Sequence, residues 1–150
     1  MMSDRLSVAI RRYQREVDQF DQALAGFLGV NRTDLRCLDF LVEAPRSARD
    51  LARATGLTPS AITTAIDRLE HLGYVERTRG AVDRRRILVE PTTEVLRRLD
   101  VALSGYAGEA AADTAAYSAN EVALLVTFFE QGSARRTRHA ARLRELTHER

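Results

Sequence analysis

The stretch "SARDLARATGLTPSAITTAIDRLEHLG", residues 47–73, reads as two short helices separated by a turn that contains glycine. Ser47, with an aspartate three residues later, predicts a helix start that resembles a capping box. That helix stops at Gly56, after which Thr58 is a second N-cap and Pro59 takes the first position of the next helix. Two short helices joined in this way are typical of a helix-turn-helix.

The second of these helices has one apolar face and one polar face. Ile62, Ile66 and Leu69 recur at helical spacing and predict the buried side. The opposite side carries hydroxyl and charged side chains, namely Ser60, Thr63, Thr64, Asp67 and Arg68. Small hydroxyls near a helix N-terminus allow close approach to a DNA duplex, and the N–H groups there attract phosphate. A polar outer face is also common on an ordinary surface helix, so this feature alone leaves both interpretations open.

A predicted β-hairpin follows directly, formed by "YVERTR" and "RRRILVE" on either side of a turn and closed by Pro91. A hairpin in this place is a wing, and its arginines suit phosphates or a narrow minor groove. The candidate DNA contacts of the wing are Arg77, Arg84, Arg85 and Arg86. Asp83 would be repelled by phosphate, so we expect it to brace the hairpin through Arg85 or a turn amide.

Charge is concentrated in the middle of the chain. All 23 basic residues are arginine, and residues 46–98 hold eleven of them against seven acidic residues, whereas each flanking segment holds six against seven. This distribution favours a polyanionic partner for the middle segment. Without lysine, Schiff-base chemistry, a lysine-activated nucleophile and a lysine-containing phosphate loop are excluded.

The remaining sequence offers no set of residues for catalysis. His71, His139 and His148 are scattered, and no serine nucleophile motif, paired cysteines or Gly-rich phosphate loop is present. We therefore predict neither an enzyme nor a metal site, and no cofactor. The single cysteine, Cys37, is expected to be a packed thiol in a reducing compartment, the cytoplasm. We expect no signal peptide and no membrane span.

The first helix carries an apolar stripe that repeats every three or four residues for three heptads, formed by Leu6, Ile10, Tyr13, Val17, Phe20, Leu24 and Phe27. Such a stripe needs another helix along it. Gly26, Gly29 and Asn31 weaken the helix, and a second helix from Thr33 to Pro45 is expected to be a buried central strut.

The C-terminal segment carries further apolar stripes. One runs through Leu96, Leu99, Leu103, Tyr106 and Ala110, with Gly105 and Gly108 able to kink it. A capping box from Ser118 to Glu121 opens the last helix, whose apolar residues are Val122, Leu125, Phe129, Leu143 and Leu146. These stripes exceed what one winged domain covers, so we expect a two-fold dimer. Its interface would include Leu6, Ile10, Tyr13, Val17, Phe20, Leu143 and Leu146.

Nearly the whole chain resembles the MarR (multiple antibiotic resistance regulator) family. The resemblance lies in "TDLRCLDFLVE", in the helix-turn-helix block, and in "DRRRILVEPT", which is similar to the family's D-x-R-x-x-x-x-x-L-T wing motif at Asp83, Arg85 and Thr92. Pro91 stands where the family usually has Leu. The resemblance implies one mostly α, α+β winged helix-turn-helix domain over residues 1–150, with dimerisation helices at 1–32 and 93–150 and a DNA-binding lobe at 33–92.

The resemblance also implies a function. Each protomer of a homodimer would place the helix from Pro59 in a major groove of a pseudo-palindromic operator and its wing in the adjacent minor groove. Such proteins usually repress transcription, and many release double-stranded DNA when a small, often phenolic ligand binds. The alternative is a winged-helix adaptor that binds proteins instead of DNA, which would show an acidic or apolar outer face.

Overall fold

The computed structural model describes residues 2–80, 83 and 85–148. Its helices are α1 (Met2–Leu28), α2 (Arg32–Glu43), α3 (Ala48–Thr55), α4 (Pro59–His71), α5 (Thr93–Ala102), α6 (Tyr106–Ala115) and α7 (Ala119–His148). Its strands, β1 (Val75–Arg79) and β2 (Ile87–Pro91), form one antiparallel pair. The predicted mostly helical α+β class is confirmed. Contacts divide the chain into two compact units, residues 1–103 and 104–150.

Helix α2 is central to the core of the first unit. Leu35, Leu38 and Leu41 on this helix are buried, and they belong to one cluster with residues of α3, α4, α5 and both strands. The prediction of a buried strut is therefore confirmed for this face. The predicted strut also includes Val42, for which the expectation of burial is wrong: this side chain is 47% exposed because it lies on the outward side of the helix.

The start of α2 differs from the sequence prediction. The helix begins at Arg32 and not at Thr33, because the Asn31 side chain caps its first turn. The Asn31 side-chain oxygen accepts a hydrogen bond from the Asp34 backbone N–H at 2.9 Å, and the Asp34 carboxylate accepts one from the Asn31 N–H at 3.4 Å. This reciprocal pair satisfies two amides that would otherwise lack partners at the helix end.

The hairpin pairs Val75 with Pro91, Arg77 with Val89 and Arg79 with Ile87. Pro91 is thus the last residue of β2 and does not stand outside the strand as predicted. A proline fits there because the backbone N–H that it lacks is not needed for strand pairing at the end of a strand. Arg46, between α2 and α3, adds a one-residue bridge to Val89.

The stripe from residue 96 to residue 110 is not continuous. Helix α5 ends at Ala102, and α6 starts only at Tyr106. Leu103 is the C-cap of α5, and Gly105, with φ of 83°, is the N-cap of α6. Gly108 lies inside α6 without interrupting it. In the second unit the predicted capping box of α7 is confirmed, because the Glu121 carboxylate accepts hydrogen bonds from the Ser118 N–H at 2.8 Å and from its hydroxyl at 2.7 Å.

Candidate nucleic-acid interface

The two helices of the helix-turn-helix begin at the predicted caps. Ser47 Oγ accepts the Asp50 N–H at 3.2 Å and donates to the Asp50 carboxylate at 2.6 Å. Thr58 Oγ1 accepts the Ala61 N–H at 3.2 Å, with Pro59 at the first helical position. Gly56 ends α3 with φ of 70°. These local bonds set where α3 stops and α4 starts, and so fix the turn between them.

Helix α4 separates its two faces as predicted. Ile62, Ala65, Ile66 and Leu69 are at most 1% exposed. The outer face of α4, which we define as Ser60, Thr63, Thr64, Asp67 and Arg68, is exposed to solvent. The hydroxyls therefore lie where a duplex could reach them, in the first two turns of the helix.

Arg68 on this outer face is held by a buried carboxylate. Its Nε donates to Asp34 Oδ2 at 3.0 Å and its Nη2 donates to Asp34 Oδ1 at 2.6 Å. Asp34 is 2% exposed, whereas the Arg68 side chain is 44% exposed. Hydrogen bonding to Asp34 raises the pKa of Arg68 above its ordinary value. The pair ties α4 to the start of α2, and sequence analysis missed it.

Arg77 of β1 also turns toward α4. Its Nη2 donates to Asp67 Oδ1 at 2.7 Å, and its Nη1 donates to the carboxylate of Glu70. Hydrogen bonding to Asp67 is the main cause that raises the pKa of Arg77. One guanidinium thus bridges two carboxylates one helical turn apart and connects β1 to α4.

Arg86 connects the other strand to α3. Its Nη2 donates to Asp50 Oδ2 at 2.7 Å, next to the bond from Ser47. The Ser47 hydroxyl, and after it the charge of Arg86, hold the pKa of Asp50 below its usual value. Sequence analysis gave Asp50 a capping role, but its partner in the wing is 36 positions away.

The turn of the wing contains the remaining predicted residues. Asp83 Oδ1 accepts the backbone N–H of Arg85 at 2.9 Å, the kind of contact expected of a brace. The Gly80 N–H donates to the Arg86 carbonyl at 2.9 Å. Arg85 is exposed, and its guanidinium makes no ion pair within the described residues. Arg84 lies outside the described residues.

Three exposed arginines that sequence analysis did not select lie in the same lobe. Arg49 and Arg53 are on α3, and Arg79 ends β1. The Arg53 side chain is 71% exposed, and its Nη1 lies 3.9 Å from Asp50 Oδ1, a long ion pair. Arg49 and Arg79 make no ion pair in the part of the chain that the structure describes. The sequence offered no reason to select these arginines, because it does not show which guanidinium groups are exposed and which are paired with carboxylates.

The predicted interface residues lie on exposed helix surfaces. On α1, Leu6 is 49% exposed, Tyr13 is 60% exposed and Ile10 is half-buried. Val17 and Phe20 also have more than a third of their surface exposed, as do Leu143 and Leu146 on α7.

Cys37 is fully buried, and burial raises its pKa to about 11. This environment suits a packed thiol and not a reactive thiolate. Among the described residues, no group of three His, Cys, Asp or Glu side chains could hold a metal ion. No helix in the described ranges has both the length and the hydropathy that crossing a bilayer requires.

Comparisons with known proteins agree with this geometry. Residues 28–86 match the model of the MarR family. An uncharacterized HTH-type transcriptional regulator of Bacillus subtilis (strain 168), YcgE, is 45% identical over 75 residues, which are 49% of this chain and 49% of that protein. The chain thus matches about half the length of this curated relative.

Solved structures share the fold over most of the chain. The transcriptional regulator BldR from Sulfolobus solfataricus is 27% identical, with a TM-score of 0.58 over 87% of this chain and 92% of that one. A MarR family protein from Bacillus stearothermophilus is 16% identical, with a TM-score of 0.65 over 91% and 96% of the two chains. A MepR mutant from S. aureus, bound to an oligodeoxyribonucleotide, is 20% identical, with a TM-score of 0.57 over 92% and 97%. Residues 28–86, which hold the helix-turn-helix and much of the wing, are therefore similar to the MarR family, in agreement with the resemblance stated from the sequence.

Proposed function

We propose that this chain is a sequence-specific double-stranded DNA-binding protein that regulates transcription. One observation carries the proposal: the exposed hydroxyl face of α4 lies in the same lobe as exposed arginines of α3 and the wing. The hydroxyls suit base edges, and the guanidinium groups suit phosphates. The proposal assigns DNA contacts to Ser47, Thr58, Pro59, Ser60, Thr63, Thr64 and those wing arginines that are not bonded to carboxylates. It places the protein in the cytoplasm with its DNA.

Ion pairs divide the candidate arginines into two groups. Arg68, Arg77 and Arg86 are bonded to carboxylates of the same lobe, so they support the shape of the surface. Arg49, Arg79 and Arg85 have no such partner among the described residues, so phosphate contacts cost them no existing bond. We propose that the second group supplies most of the electrostatic affinity, because each phosphate contact releases counterions.

We further propose that the functional unit is a homodimer on a pseudo-palindromic site. In the first unit, Tyr13 and Val17 expose an apolar stripe along α1; in the second, Leu124, Phe129 and Leu143 of α7 are each more than half exposed. Monomeric proteins rarely leave so much apolar surface open to water. A second copy would cover these stripes by two-fold symmetry and would present two recognition helices to two half-sites.

The last part of the proposal is that the protein represses transcription and releases DNA when a small ligand binds. Both properties are supported by the resemblance to the MarR family. A cleft of about 610 Å³ borders α4, with Val30, Asp34, Arg68 and Leu72 among its lining residues. A small aromatic ligand in this cleft would contact the recognition helix directly. A thermal-shift screen of aromatic acids and phenols, followed by DNA-release assays, tests this part. A reporter gene downstream of the bound site tests repression, which predicts lower expression when the protein is present.

DNA binding is tested first by titrating the full chain against a fluorescent random-sequence duplex at low salt. The duplex sequences that bind most tightly are then selected in vitro. Regulator function predicts binding that weakens steeply with salt and a selected consensus with two half-sites. The adaptor alternative predicts no binding to duplex. The outer face of α4 argues against that alternative because it carries hydroxyls and is neither purely acidic nor apolar.

A further inference from the structure

The hydroxyl protons of the two threonines on the outer face of α4 are already donated to hydrogen bonds within the helix. Thr63 Oγ1 donates to the Pro59 carbonyl, and Thr64 Oγ1 donates to the Ser60 carbonyl, both at 3.0 Å. A hydroxyl has one proton and two lone pairs. Each side chain therefore presents only an acceptor to an approaching ligand while its helix bond persists. Ser60 differs, because either oxygen can be the donor in its bond with Thr58.

The next turn of the same face continues this pattern. Asp67 is exposed, and a carboxylate at neutral pH accepts hydrogen bonds but has none to donate. Its Oδ1 receives the bond from Arg77. We call Thr63, Thr64 and Asp67 the acceptor row.

The guanidinium groups of Arg68 and Arg77, the hydrogen-bond donors beside the acceptor row, are bonded to carboxylates. Arg68 makes two hydrogen bonds to Asp34, and releasing them would leave a carboxylate that is 2% exposed without its partner, at high cost. Arg77 is bonded to both Asp67 and Glu70. Neither guanidinium is available to make the bidentate contact with N7 and O6 that reads guanine.

From this arrangement we infer which base groups are read. In the major groove, adenine N6 and cytosine N4 are donors, whereas N7 and the oxygens of guanine and thymine are acceptors. We propose that the acceptor row contacts the amino groups of adenine or cytosine on the facing strand, and that it reads neither purine N7 nor guanine O6. The inference rests on the proposed DNA-binding function and gives it a definite specificity.

The test uses base analogues in the duplex selected by the full chain. At each half-site position, one series removes the amino group, with purine for adenine and 2-pyrimidinone for cytosine. A second series removes N7, with 7-deazaadenine and 7-deazaguanine. At the positions facing the acceptor row, we expect amino removal to weaken binding about three- to tenfold, the effect of one lost hydrogen bond. N7 removal should leave the affinity there unchanged.

Protein variants then assign the contacts. Thr63→Val and Thr64→Val keep the shape of the side chain but remove the acceptor, so each should abolish the penalty for amino removal at its own position. Thr64→Ser should retain the penalty. Thr137→Val on α7 is the matched control, because Thr137 makes the same helix bond, to the Ser133 carbonyl at 3.1 Å, outside the proposed interface. It should bind like the wild type.

Several results would overturn the inference. Sensitivity to N7 removal at positions facing the acceptor row would show that a donor reads the groove there. A wild-type protein that binds the selected duplex but tolerates every amino removal would refute this inference and leave the proposed function intact. If the wild-type protein bound no duplex, both would fail.

Discussion

The guanidinium of Arg68 makes two hydrogen bonds, at 2.6 and 3.0 Å, to the carboxylate of Asp34, a residue 34 positions earlier that is only 2% exposed. Asp34 also completes the capping box with Asn31 at the start of α2. One carboxylate therefore links the start of α2 to α4. Arg68 positions the surface that we propose contacts DNA, and this role differs from direct contact.

Replacing Arg68 should destabilise the fold. Arg68→Leu leaves the buried carboxylate of Asp34 without its partner, and we expect the free energy of unfolding in urea to fall by about 2 to 3 kcal/mol. The value lies below that for fully buried pairs because the Arg68 side chain is 44% exposed. The double variant Asp34→Asn/Arg68→Leu should recover part of the loss, since it removes the unpaired charge. A loss under about 0.5 kcal/mol, as for an ordinary surface site, would contradict this account.

Arg77 should affect DNA binding through the carboxylates it neutralises. In Arg77→Ala, Asp67 and Glu70 on α4 lose their counter-charge and would repel phosphates, so we expect weaker binding to the selected duplex. Adding Glu70→Gln should restore part of the affinity at low salt, as measured by fluorescence anisotropy. If the second substitution restores nothing, then Arg77 acts as a direct contact, as the sequence prediction had it.

The sequence predicted the local helix caps of this chain but not its ion pairs between separate elements. The helix starts at Ser47, Thr58 and Ser118 depend on partners within three residues, so local patterns revealed them. The pair of Asp34 with Arg68 depends on how separate elements pack, and no periodicity encodes that. The middle segment has an excess of arginine, but its sequence does not say which guanidinium groups are bonded to carboxylates of the same lobe and which are open to a partner.

The break between α5 and α6 has a similar explanation. The spacing of Leu99, Leu103 and Tyr106 is compatible with one continuous helix, so the pattern alone favoured continuity. The structure instead ends α5 at Ala102 and starts α6 after Gly105, whose backbone is left-handed. A glycine is tolerated within a helix or ends it according to its surroundings, as Gly108 inside α6 shows.

The apolar stripe of α1 predicts a dimer that charge should disrupt. Val17→Asp places a carboxylate in the stripe, so we expect multi-angle light scattering to give the monomer mass at concentrations where the wild type is a dimer. Val8→Asp is the matched control, because Val8 is 57% exposed on the same helix but lies off the stripe. A Val17→Asp protein that remains dimeric would remove α1 from the interface.

Cys37 should make stability depend on alkaline pH. Its pKa in the fold is raised by burial from 9.0 to about 11, so the folded state holds the thiol proton more tightly than the unfolded chain does. The resulting stability is present below pH 9 and is lost between about pH 9 and pH 11, at up to about 1.4 kcal/mol per pH unit. Unfolding of the wild type and Cys37→Ala across this range measures the difference. Equal slopes, or rapid alkylation of the native thiol at pH 7, would contradict the assignment.

The most direct test of the proposed interface compares two arginines on the selected duplex. Arg85 is an exposed wing residue, and Arg142 is an exposed residue of α7 outside the proposed interface. Titrations at several salt concentrations should show that Arg85→Ala weakens binding at every sequence and reduces the slope of log K against log salt by about 1, as for one lost phosphate contact. Arg142→Ala should match the wild type in affinity and slope. Equal losses for the two variants, or no loss for Arg85→Ala, would contradict the assignment of the wing to DNA.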